Sequence, residues 1–117
     1  MADITINMQT DIAITFQYYE SDGTTARALT GATVYFTIKP NSWDQDSDDS
    51  EALLSYSTTS HTNPSGGLTT ITLTDVNTNI VPGNYFYDIV VKESNGLIYK
   101  ATEGRCRIES KVTNRAA

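Results

Sequence analysis

Residues 42–56, SWDQDSDDSEALLSY, hold the densest run of chemistry-bearing side chains in the chain, with five of its fourteen acidic residues falling between Asp44 and Glu51. Asp44, Asp46 and Asp48 alternate as oxygen ligands do in a calcium loop. With Asp44 in the first position of such a loop, the sixth, which needs glycine, is Asp49, and the twelfth, which needs a bidentate glutamate, is Ser55. The match ends after three ligands. Asp44, Asp46 and Asp48 therefore stand as candidates for a looser calcium site only, beside the plainer reading of a solvated acidic connection. No cofactor is expected.

Other chemistries find less. A nucleophile–base pair would need His61, the one histidine, which sits in the polar, turn-rich TTSHTNPSGG with nothing in sequence to mark a partner. Zinc needs three or four His, Cys or carboxylate ligands, and this chain has one His and one Cys far apart. No glycine-rich loop precedes a helix, so a phosphate cradle is unsupported. A glycosidase pair requires two carboxylates whose environments push their pKa values apart, and a run of exposed acids offers no such asymmetry. No catalytic residue is assigned, and a non-enzymatic protein is expected. Cys106 alternates with Arg105 and Arg107, which predicts a small buried hydrophobe rather than a reactive thiol.

The net charge of −6 argues against binding nucleic acid by phosphate neutralisation. Basic residues nevertheless gather from Lys100 onward: Lys100, Arg105, Arg107, Lys111 and Arg115 stand against Glu103 and Glu109. This is either the ordinary solubilising balance of a small domain or a basic C-terminus that docks on a neighbouring copy's acidic loop. Arg105, Arg107, Lys111 and Arg115 are accordingly interface candidates. The start, MADITINMQT, lacks the charged and apolar regions of a signal peptide, and no apolar run approaches the roughly 20 residues that span a bilayer. Synthesis in a cytoplasm, without membrane contact, is the expectation.

The elements that would position these residues are strands. IAITFQYY puts Ile12, Ile14, Phe16 and Tyr18 on one face, and ATVYFTIK does the same with Ala32, Val34, Phe36 and Ile38. Further strands are read at 3–8, 52–58, 68–74, 84–93, 97–103 and 105–109. ESDG and ESNG are Asp-Gly and Asn-Gly turns, the second short enough for a hairpin, and NPSGG is another turn. TDVNTNIVPG leaves room for one helical turn before Val81-Pro82-Gly83 stops it. Seven or eight strands at this spacing in 117 residues predict one all-β domain over 1–117, an immunoglobulin-like antiparallel β-sandwich with its core at about 10–112 and a short tail at 110–117. Tyr85, just past a Pro-Gly corner, fits the tyrosine that ties such a corner back to the preceding loop. The single cysteine rules out an internal disulfide, and Trp43 falls in a loop.

LTGATVYFTIKP (29–40), GGLTTITLT (66–74), PGNYFYDIVV (82–91) and EGRCRIE (103–109) occur in an order that resembles a tailed-bacteriophage virion domain. The chain is similar to the N-terminal domain of the phage baseplate upper protein family and to related single-domain Ig-like virion proteins, over about residues 10–112. It departs from that pattern at Thr10-Asp11, where the family often has a Gly-Asp turn. Longer members continue into receptor-binding or linker regions, so the resemblance implies that this chain supplies the assembly module alone. It implies a non-enzymatic structural protein of the tail, baseplate or capsid surface, present in many copies or as a homo-oligomer among other phage structural proteins and located in the virion. Outward Tyr19 and Tyr35 would be interface anchors, or sheet-surface tyrosines packing across strands. A module binding carbohydrate or the host surface is the alternative, with Trp43 as its aromatic candidate.

Overall fold

The computed structural model describes residues 3–40 and 52–112. Among these residues seven strands form two sheets: β1 (Ile4–Asn7), β2 (Ile12–Gln17), β3 (Thr33–Lys39), β4 (Leu54–Thr58), β5 (Leu68–Leu73), β6 (Gly83–Lys92) and β7 (Ile98–Glu109). The larger sheet runs β1-β7-β6-β3-β4 and the smaller pairs β2 with β5. This is the connectivity of an immunoglobulin-like sandwich, with the second and fifth strands in one sheet. The third, sixth and seventh form the other, and β4 is added beside β3 as in variable-type domains.

The alternation read in sequence sets the inner faces. Val34, Phe36 and Ile38 of β3 are fully buried, as are Ile89 and Val91 of β6 and Ile71 and Leu73 of β5. Each such side chain contributes roughly 1.5–3 kcal/mol by leaving water. Phe16 of β2 and Tyr18 just past its end are buried, while Ile12 and Ile14 are half-buried against the same core. The Phe36 and Tyr87 rings pack with centroids 5.7 Å apart. Cys106 is fully buried and unpaired, and desolvation pushes its thiol up to about 11, so it packs as a small apolar group.

The turns follow their residue chemistry. Gly96 (φ 89°) closes the β6–β7 hairpin, with its amide donating to Glu93 O at 2.9 Å. Gly23 (φ 74°) does the same for the Glu20 turn. In the latter, Asp22 accepts from the amides of Thr24 and Thr25 and from the Thr25 hydroxyl, which hold its carboxyl down at about 2. Between β5 and β6 the amide of Thr78 donates to Thr74 O at 3.1 Å, the single helical turn that the sequence allowed. The Tyr85 hydroxyl donates to Val81 O at 2.5 Å, so the tyrosine corner is present.

Three features differ from the sequence reading. The segments 97–103 and 105–109 are one strand, because the ladder continues through Gly104 opposite Tyr87. A bulge lies within that strand: Ile89 pairs with Thr102 and Val90 with Lys100, so Ala101 is the extra residue. And the sandwich is not wholly antiparallel. β1 pairs with the end of β7 in parallel, Ile4 opposite Cys106 and Asn7 opposite Glu109. The chain reaches β2 from there through Gln9, whose φ of 55° is left-handed. Buried Thr78 fixes that connection, its hydroxyl donating to Thr10 O at 2.7 Å and accepting from the Thr10 amide at 2.9 Å.

Candidate functional site

The same pleat that sends Val34, Phe36 and Ile38 inward sends Tyr35, Thr37 and Lys39 outward on β3. On β6 it sends Phe86, Asp88, Val90 and Lys92 outward. Register stacks these into rows. Lys39, Phe86 and Arg105 form one row, Thr37, Asp88 and Glu103 the next, and Tyr35, Val90 and Lys100 the third. Small Thr37 and Asp88 lie between larger neighbours, leaving a groove of about 350 Å³ walled by Tyr35, Phe86, Val90 and Ile98. Opposite charges rim it: Lys39 and Lys92 beside Asp88 and Glu103. Lys100 and Glu103 form an ion pair at 2.8 Å that raises the lysine's pKa. The groove thus combines aromatic and apolar walls with a polar floor at Thr37 and Asp88 and charges of both signs around it.

A second depression, of about 410 Å³, opens at the far end of β2 and is lined by Tyr19, Arg27 and Tyr99. Beside it a polar knot joins the loops that follow β2 and β6. The Arg27 guanidinium bonds both carboxylate oxygens of Glu93, through Nε and through Nη2 at 2.8 Å, and reaches Glu20 at 3.1 Å. The Tyr18 hydroxyl donates to Glu93 at 3.1 Å, and the guanidinium lies 5.8 Å from the Tyr18 ring and 5.3 Å from that of Tyr99. Burial, then the bond to Glu93, pushes Tyr18 up to about 12. Glu93 likewise raises the pKa of Arg27. With every group paired, the knot is a tie between loops and offers no free nucleophile or base.

The predicted interface residues scatter over the surface. Tyr35 is 39% exposed and walls the groove. Tyr19, 46% exposed, lies on the other sheet's connection and lines the second depression, so the two tyrosines do not share a surface. Arg105 and Arg107 project on the outer face of β7, in the rows of Phe86 and Asn84, with Arg107 3.4 Å from Glu109. Lys111 donates to Gln9 O at 3.1 Å within its own chain. Trp43, Asp44, Asp46, Asp48 and Arg115 lie outside the described residues. Among the described residues no three His, Cys, Asp or Glu side chains gather as a metal set. His61 is held in place: Nε2 donates to Ala32 O at 2.8 Å and Nδ1 pairs with the Thr69 hydroxyl at 3.0 Å.

Sequence reasoning missed the groove, although its signal was present. Among the outward residues of NYFYDIVVK, Asn84, Phe86, Asp88, Val90 and Lys92, two are large and apolar, Phe86 and Val90. Arg27 and Glu93 carried no signal, being 66 residues apart in two turns.

Neither the family models nor the curated proteins contain a match to this chain. Among solved structures, that of murine CRIg is similar at 14% identity and a TM-score of 0.41, covering 93% of this chain and 92% of its own. That likeness transfers no function. The fold rests on the strand order and on the Tyr85 corner.

Proposed function

We propose that the protein is a non-enzymatic structural module of a bacteriophage particle, a component of the tail or baseplate or a decoration of the capsid surface. It is made in the host cytoplasm and acts in the virion. Its partners on this reading are other structural proteins of the particle and further copies of itself. The observation that carries the reading is the outer face of the five-stranded sheet, where Tyr35, Phe86, Val90 and Ile98 wall a groove inside a rim of both charges. A rigid sandwich that presents such a face suits docking in a symmetric shell or ring. The motif order over residues 10–112 supplies the particle context.

The test is cosedimentation with particles that lack the protein. Wild type is expected to bind and a Tyr35→Ala/Val90→Asp variant, folded by circular dichroism, to lose binding. Equal binding of both would remove the groove from the proposal. The alternative, a module displayed outward to bind carbohydrate or the host surface, predicts selective signal on a glycan array that is lost in Trp43→Ala. That result would replace the particle reading.

A further inference from the structure

The twelve-residue strand β7 is covered on its outer side only in part, since β1 pairs with Cys106–Glu109. Among the described residues no strand pairs along that edge before Cys106. Three exposed apolar residues stand in a row at its start, Leu97, Ile98 and Tyr99, 51%, 63% and 42% exposed. Natural sheets protect open edges with charge, and β7 carries Lys100, Glu103 and Arg105 on this stretch. Their arrangement, however, is self-complementary.

The bulge makes it so. In a regular strand, residues three apart point to opposite faces. Because Ala101 is bulged, Lys100 lies opposite Val90 and Glu103 opposite Asp88, which places both on the outer face. Residues of β7 on that face direct their amides away from β6: the Arg105 amide donates to the Asp3 carboxylate at 3.1 Å on the β1 side. Lys100 and Glu103 thus present backbone groups to an incoming strand and side chains to a common face.

We infer that this edge pairs with the same edge of a second copy, antiparallel about a two-fold axis passing between Ala101 and Thr102. In that register Lys100 faces the second copy's Glu103 and Glu103 its Lys100, and the two intrachain pairs merge into a quartet of alternating charge. Tyr99 then lies across the bare Gly104 of the other strand, an aromatic covering a glycine as strand pairs favour. The two five-stranded sheets become one continuous sheet, and the Leu97–Tyr99 patches of both copies border the junction. A shift by one residue would set Lys100 against Thr102 and lose both charge pairs, so the register is specified. This inference stands whether or not the protein belongs to a phage particle.

The experiment is sedimentation equilibrium of the full chain over a concentration series, with wild type, Lys100→Glu and Glu103→Lys. Wild type is expected to show a monomer–dimer equilibrium, and each variant to weaken it by about tenfold or more, because like charges then oppose one another twice. Mixing the two variants in equal amounts sets unlike charges opposite again and is expected to restore a dimer that neither forms alone. An effect on the intrachain ion pair alone cannot produce that rescue. Wild type monomeric throughout, a dimer indifferent to both substitutions, or no rescue on mixing would each overturn the inference. Circular dichroism of both variants guards against misfolding.

Discussion

Glu93→Ala removes the acceptor at the centre of the polar knot, and its cost can be worked from the partners it strands. The Tyr18 hydroxyl, on a side chain only 4% exposed, loses its bond, which costs about 1–3 kcal/mol for a buried donor left unsatisfied. Arg27 loses a two-pronged partner. Because its side chain is 32% exposed and keeps Glu20, water screens that loss to about 1 kcal/mol. The total is about 3 kcal/mol. Glu20→Ala removes a carboxylate from the same guanidinium at 45% exposure and should cost under about 0.5 kcal/mol. Urea denaturation reads both. With an m-value of about 1.5 kcal/mol per molar, Glu93→Ala should lower the midpoint by about 2 M with the slope unchanged, and Glu20→Ala by a few tenths. Equal shifts for the two, or a loss below about 1 kcal/mol for Glu93→Ala, would refute the claim that burial of the shared carboxylate separates them.

Gly67→Ala should cost more than about 3 kcal/mol in the same assay, since φ is 73° and a Cβ would stand 2.2 Å from Arg27 O. Gly23→Ala, with the same backbone sign but open space around it, should cost only about 1–2 kcal/mol. Tyr85→Phe should lose about 1 kcal/mol by freeing the Val81 carbonyl, measured by thermal or urea unfolding. Tyr18 makes stability fall at alkaline pH. Its pKa is raised from 10.0 to about 12, so the folded state disfavours the phenolate. The stabilisation is whole below pH 10 and is lost as pH rises toward 12. Denaturation midpoints across that window should fall in wild type and fall less in Tyr18→Phe, where Cys106 and Tyr87, whose pKa values burial also raises, still contribute.

Features set by neighbours in sequence were legible. Alternation in β2 and β3 named the buried faces, the Asp-Gly and Asn-Gly pairs marked turns, and flanking arginines marked Cys106 as inward. Features set by partners distant in sequence were not. A four-residue β1 looks the same whether it pairs in parallel or antiparallel, and its direction follows from the Gln9 turn and the Thr78 bonds. Gly104 reads as a break between strands, yet the β6 ladder carries through it. His61 gave no hint of Thr69 or Ala32 as partners. Tyr35 stood out in sequence as an outward interface candidate, but the rest of the groove did not, because Phe86, Val90 and Ile98 join it only through the register of β3, β6 and β7.

Mass spectrometry of purified phage particles, with copy number per particle, tests the central proposal most directly. The account predicts the chain in intact particles at a stoichiometry that matches a symmetric layer. Hundreds of copies would place it on the head or a repeating tail layer, and a few to a few dozen in a baseplate or neck. Its absence from particles would contradict the proposal.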